Sequence, residues 1–174
     1  MAELTIENDN EFLSITVVEN SKYKVLFLNV LNSQPTPLQW EKFKSELTNS
    51  LTNIQCSNQK FAFLLDSRKL GILSLSKIKD FIRILKQYEN CIENQLMCST
   101  VIIEARAVKI ICGLFLKFYK TKKPLHFLKN KKLCVEKINS YYDGNHKIQT
   151  GVDYNDLEKF EENWFIIYFL SLNK

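Results

Sequence analysis

Apolar positions along this chain fall into short runs and helical stripes that alternate from one end to the other. Phe12 to Val18 is β-branched and partly alternating, which predicts a half-buried strand. Glu19-Asn20-Ser21-Lys22 is turn chemistry, and Tyr23 to Leu31 is a second strand, so the two form a hairpin. Ser33 to Pro37 holds the backbone extended, then offers Thr36 as an N-cap with Pro37 at the first helical position. The helix Leu38 to Leu51 carries Trp40, Phe43, Leu47 and Leu51 on one face, which makes Trp40 a core anchor.

Phe61 to Leu65 has no polar member and is too short for an ordinary helix, so it predicts a central strand buried on both faces. Asp66 ends it, and Ser67-Arg68-Lys69 return the chain to water. Ser76 is the expected cap of the next helix, with Ile78, Phe81, Ile82, Leu85 and Tyr88 inward. Thr100 to Ile103 predicts a fourth strand. From Ala105 a further helical stripe runs through Val108, Ile111, Cys112, Phe115, Leu116 and Tyr119 until Lys122-Lys123-Pro124 breaks it. Leu125 to Leu128 is a short edge strand, and Asn130 caps a helix bearing Leu133, Val135, Ile138 and Tyr141 or Tyr142.

The order β-β-α-β-α-β-α-β-α requires crossover connections. The expectation is an α/β domain over 1–142, with a mixed sheet of about five strands that opens on a hairpin and is covered by helices. After the break at Asp143-Gly144-Asn145, residues 143–174 read as a C-terminal extension that either packs on this domain or docks a partner. In it Asp153, Asp156, Glu158, Glu161 and Glu162 precede the apolar run Trp164 to Leu170, whose Trp164, Phe165, Tyr168 and Phe169 would form the docking segment.

Composition narrows the class. A chain of 174 residues that is 45% hydrophobic, with only four Gly and three Pro, suits one globular domain with a full core. The longest apolar run is far below the ~20 residues that span a bilayer, and the N-terminus lacks a leader pattern. Five cysteines without a C-x-x-C pair suggest free structural thiols in a reducing, cytoplasmic compartment, with no metal site and no cofactor.

Familiar catalytic patterns do not occur. The four glycines are isolated, which excludes the usual phosphate loops, and no G-x-S-x-G or H-E-x-x-H is present. His126 and Cys134 could meet only through folding, and both lie in apolar periodic segments where packing is the simpler role. Glu161 and Glu162 point to different sides of any regular element. The chain therefore reads as non-enzymatic.

Charge is more informative locally than in total. The net charge is +5, but Lys117, Lys120, Lys122, Lys123, Lys129, Lys131 and Lys132 follow one another with no acid between them. Such a patch could face an acidic protein surface or an anionic headgroup, although lysines at a helix C-terminus also simply complement its dipole. It is not a strong nucleic-acid signal.

The segment Phe-Leu-Leu-Asp, a loop, a helix, a short strand and a helix, followed by Pro124-Leu125-His126-Phe127-Leu128 and the charged turn into Leu133 to Ile138, resembles the STAS superfamily. Within it, the sporulation anti-sigma factor antagonist-like (SpoIIAA-like) branch is the nearest in pattern. The resemblance covers about Phe12 to Tyr142 and implies an α/β regulatory module that binds another protein, or itself, through the loop after the central strand. Regulatory members carry Asp-Ser-Ser-Gly there, with a phosphorylatable Ser at a helix start. Here the loop reads Leu73-Ser74-Leu75-Ser76, without the Asp or the Gly, so Asp66, Ser74 and Ser76 are the candidate switch or partner-binding residues. Ser76 as a plain N-cap stands beside Ser76 as a phosphate acceptor. The alternative function is binding of an apolar ligand between sheet and helices, or of an anionic lipid headgroup by the lysine patch.

Overall fold

The rigid opening of the first helix follows from three residues. Thr36 stays extended, its Oγ1 accepts from the Gln39 amide (3.2 Å), and the Gln39 side chain accepts from the Thr36 amide (2.9 Å). This reciprocal capping box, with Pro37 at the first position, satisfies amides that the helix itself leaves open. The computed structural model of the chain describes residues 3–4, 11–19, 22–103 and 123–144.

Its strands are β1 (Glu3–Leu4), β2 (Leu13–Glu19), β3 (Lys24–Val30), β4 (Phe61–Asp66), β5 (Leu96–Ile102) and β6 (Leu125–Leu128). The described helices are α1 (Pro37–Ser57), α2 (Leu75–Gln87), α3 (Glu89–Gln95) and α4 (Lys131–Tyr142). The strands form one sheet in sequential order; β1, β2 and β3 pair antiparallel, and β3 to β6 run parallel. The fold is therefore the expected mixed α/β sheet, hairpin first and β-α repeats after it.

β4 divides the core. Phe61 and Phe63 face one layer with Leu26, Leu28 and Val30 of β3, covered by Trp40, Phe43, Leu47 and Leu51 of α1, Leu85 of α2 and Ile92 of α3. Ala62 and Leu64 face the other layer, with Cys98 and Ile102 of β5 and Cys134 and Ile138 of α4. Repeated crossovers of one hand carry α1, α2 and α3 to the same face of the sheet. Trp40 is the anchor the pattern predicts: it lies edge-on to Phe12 (6.2 Å) and beside Phe43 (4.9 Å), while its indole N–H donates to Asp80 Oδ2 (3.2 Å).

Several local expectations are corrected. α1 runs to Ser57, past Leu51, and stops where Asn58 takes a left-handed conformation (φ 51°). Thr100 is not the first residue of its strand; β5 begins at Leu96, because the additional helix α3 ends directly before it. The short amphipathic pattern of Cys91, Ile92 and Gln95 is only one buried side of two turns, which periodicity over so few residues does not reveal. β5 also carries one extra residue between its pairings with Phe61 and Phe63. This bulge lets Cys98 join the α4 layer. Tyr88 packs against the α1 layer as expected, but it also ends α2, and its hydroxyl reaches Thr52 (2.7 Å) and the Thr48 carbonyl (3.2 Å).

Residues 104–122, which contain the predicted stripe Val108 to Tyr119, and 145–174, with the extension, lie outside the described residues. Leu64 is 1% exposed at the centre of the sheet. Leu64→Ala should lower unfolding free energy by about 2–5 kcal/mol, read from urea denaturation, because the parallel strands on both sides hold the cavity open.

Candidate functional site

Four parallel strands point their C-terminal ends the same way, and the segments that leave those ends converge. Asn29 of β3 pairs with Asp66, Asp66 with Ile102, and Ile102 with Leu128, so the loops after β3, β4 and β6 share one edge of the molecule. Crevices at this edge are the usual ligand and partner sites of open α/β sheets.

Asp66 is held there as part of the framework. Only 7% exposed, it receives Arg68 Nε on Oδ1 (2.9 Å) and Arg68 Nη2 on Oδ2 (2.6 Å), with the Arg68 amide also near Oδ1 (3.3 Å). The Arg68 hydrogen bonds hold the carboxyl below its ordinary range against the opposing effect of burial, and Lys131 adds attraction from the α4 side. Asp66 and Arg68 thus lock the first bend of the loop with a bidentate pair.

Beyond that bend, Ser67 donates to the Ile102 carbonyl (2.6 Å), and the Leu70 amide closes a turn onto the Ser67 carbonyl (3.0 Å). The Gly71 amide then bonds the Ser33 carbonyl (2.8 Å), tying this loop to the one before α1. A Cβ at Gly71 would sit 2.7 Å from that carbonyl oxygen, so the approach requires glycine. Leu70 and Leu73 pack inward on Ile78 and Ile82.

The loop's other side chains face water. Ile72 is 52% exposed and Leu75 37%, and Leu38, in the first turn of α1 beside the same edge, is 79% exposed. Ser74 and Ser76 are both exposed, with their hydroxyls 2.9 Å apart. Ser74, and not Ser76, is the N-cap: its backbone is extended (ψ 151°) and its Oγ accepts from the Lys77 amide (3.4 Å). Ser76 lies one turn position inside α2, since Leu75 already has helical geometry.

Basic side chains border this edge. Arg68 and Lys69 follow β4, while Lys129, Lys131 and Lys132 follow β6; Lys131 Nζ lies 4.5 Å from the Phe27 ring centre. Of the predicted lysine patch, Lys123, Lys129, Lys131 and Lys132 are described. Lys117, Lys120 and Lys122 lie outside the described residues, as do Trp164, Phe165, Tyr168 and Phe169.

The opposite layer holds thiols and a histidine without assembling a nucleophile. Burial pushes the Cys98 thiol up to about 12 and raises Cys134 in the same direction, as it does Cys91 of α3 on the other face, so all three stay protonated and unreactive. His126 Nε2 bonds the Tyr141 hydroxyl (2.9 Å), and burial, with a smaller contribution from Lys137, pushes its pKa down to about 4. Cys134 is associated with Thr100 instead, so the His126 and Cys134 pairing does not form. Among the described residues no three His, Cys, Asp or Glu side chains converge as metal ligands, and no helix is long and apolar enough to cross a membrane.

Solved structures share this arrangement. A Shewanella loihica PV-4 protein of the DUF3478 family, with a SpoIIAA-like fold, superposes with a TM-score of 0.53 at 15% identity over 71% of this chain and 91% of its own. Apo-SiaC from Pseudomonas aeruginosa superposes with a TM-score of 0.50 at 14% identity, over 73% and 98% respectively. This chain has a SpoIIAA-like fold. No family model and no curated protein matches its sequence.

Within this SpoIIAA-like fold, what pattern reading missed is specific. Arg68, read only as solvated, is the partner of Asp66, and Gly71, read only as isolated, is a point of contact between loops. Gly71 could have been suspected from its place directly after a strand-ending loop; the Arg68 pairing has no sequence signal. Gly71→Ala should cost about 1–3 kcal/mol in denaturant unfolding, since a backbone oxygen must move.

His126 should make stability depend on pH. In the unfolded chain its imidazole takes up a proton below about 6.5, but in the folded protein only near 4. Folded stability is therefore intact above that interval and is lost as the pH falls through it. The stability difference between wild type and His126→Gln, followed by thermal melts, should shift in favour of the variant on acidification across this window.

Proposed function

We propose that this protein is a non-enzymatic regulatory module that binds another protein through the loop after β4 and the start of α2. The observation that carries the reading is the exposure of Ile72 and Leu75 on a loop whose backbone is fixed at its start by Asp66 with Arg68 and at its middle by Gly71 with Ser33. A fixed loop loses little entropy on docking, and exposed aliphatic side chains on such a loop supply the contact. Leu38 extends the apolar surface from the neighbouring loop.

The rim selects the partner by charge. Arg68, Lys69, Lys129, Lys131 and Lys132 favour an acidic surface around the apolar centre, which speeds encounter more than it adds affinity. Ser74 and Ser76 are the switch positions of this reading. Phosphate on Ser74 would place ~1.5 to 2 negative charges at the first turn of α2, where open amides can donate to it and where Leu75 would otherwise meet the partner.

The test is affinity capture from the native source with the full chain, using wild type beside Ile72→Glu with Leu75→Glu. A single protein retained by wild type and lost by the folded double variant is the expected result. Capture that is unchanged by the double variant, and by Ser74→Asp and Ser76→Asp, would rule out this loop. Intact mass of the native protein should further show a phosphorylated fraction that disappears in Ser74→Ala.

A further inference from the structure

Helix α4 covers only part of its face of the sheet. It lies over β5 and reaches β4 and β6, and one side of it meets the β3 segment at two points. At its start Lys131 Nζ stands 4.5 Å from the Phe27 ring centre; at its end Asn139 accepts from the Tyr23 hydroxyl and Tyr142 lies beside the Tyr23 ring (5.3 Å). Lys131, Val135, Asn139 and Tyr142 share one helical stripe, so the exposed Val135 faces the same way between those contacts. Beside this wall lies the β2–β3 hairpin, where Val18 pairs with Val25 and Thr16 with Phe27, all half-buried. Among the described residues no helix lies over that floor, which leaves an apolar groove alongside α4.

The point at which the chain leaves α4 indicates what fills the groove. α4 ends at Tyr142, at the mouth of the groove, and residues 145–174 continue from there. A β5-to-β6 crossover of the same hand as the others goes to the α1 face, and the six residues 5–10 are taken up in joining two strands that pair side by side. The groove is as long as α4, about 18 Å. In the extension Leu157, Phe160, Trp164 and Ile167 recur at spacings of three and four, an apolar stripe of about 15 Å at helical rise. Asp153, Asp156, Glu158, Glu161 and Glu162 accompany this stripe with one lysine, Lys159. The groove carries the opposite sign at both ends: Lys22 Nζ is 5.3 Å from the Tyr142 ring centre, and Lys131 and Lys132 open α4.

We propose that residues 153–170 dock in this groove, with Leu157, Phe160, Trp164 and Ile167 against Val18, Val25, Phe27 and Val135 and the acidic positions toward Lys22, Lys131 and Lys132. The extension thereby covers the open face of the hairpin and commits Trp164 to the chain's own surface. The groove lies on the α4 face, whereas the loop carrying Ile72 and Leu75 leads into α2 on the other, so this proposal and the protein-docking reading stand or fall independently.

Photocrosslinking of the full chain with p-benzoylphenylalanine in place of Trp164 tests it. Adducts within a single chain, mapped by peptide mass spectrometry to Val18, Val25, Phe27 or Val135, are the expected result. Chymotryptic cleavage between Trp164 and Phe169 supplies a second readout in the otherwise unmodified protein. Val135→Asp, a change at an exposed position, should speed that cleavage about tenfold, because cleavage follows the population of the undocked form, while Val135→Ile should leave it unchanged. Adducts joining two chains would give the groove to a second copy, and adducts at Leu38, Ile72 or Leu75 would give the extension to the docking loop. Either result overturns the proposal, as does the lack of any groove adduct or a cleavage rate that Val135→Asp does not alter.

Discussion

Strand β4 must be buried on both faces at once, and the rest of the molecule is arranged to do it. Phe61 and Phe63 need a cover on one side, Ala62 and Leu64 on the other, and a five-residue apolar run leaves no edge that water can reach. Burying an aromatic or aliphatic side chain contributes about 1.5–3 kcal/mol, so a strand of this composition is a dominant local source of stability. Central placement follows, because only interior strands have both neighbours and both layers. The parallel crossovers put α1, α2 and α3 over one face, and α4, which follows the last strand, covers β4, β5 and β6 on the other.

The same arrangement explains why the ends of the parallel strands form the notable surface. Described helices lie on both faces, and along one rim the strands give way to loops. There Asp66 ends the apolar run and is neutralised at once by Arg68, two residues later. A nearly buried carboxylate without that partner would be costly, and with it the loop acquires one defined bend. Gly71 supplies the second constraint through Ser33. From Leu70 to Leu75 the side chains then divide cleanly: Leu70 and Leu73 go in, Ile72 and Leu75 stay out.

The polar groups of the α4 layer show a different economy. Tyr23 donates to Asn139, His126 pairs with Tyr141, and among the described residues no buried side-chain nitrogen or oxygen lacks a partner. Hydrogen-bonded pairs of this kind specify how α4 sits on the sheet, since shifting the helix by one residue would break them together. Protonated thiols in the same layer act as small apolar fillers.

Periodicity and composition were enough for the order of strands β2 to β6, the hairpin, the central strand, the Thr36 cap and the Trp40 anchor. These are all properties of neighbours in the chain: local steric preferences, turn chemistry and which face of a helix or strand is apolar. The start of α2 at Ser74, the helix α3 and the early start of β5 were not legible, because two serines two apart can both cap and two helical turns are too short to show a period. The Asp66 clamp, the Ser33 contact at Gly71 and the groove beside α4 were decided only by the tertiary structure. Each depends on how far apart two segments lie once the sheet has brought them side by side, and that distance is set by packing across the core, which no local pattern encodes.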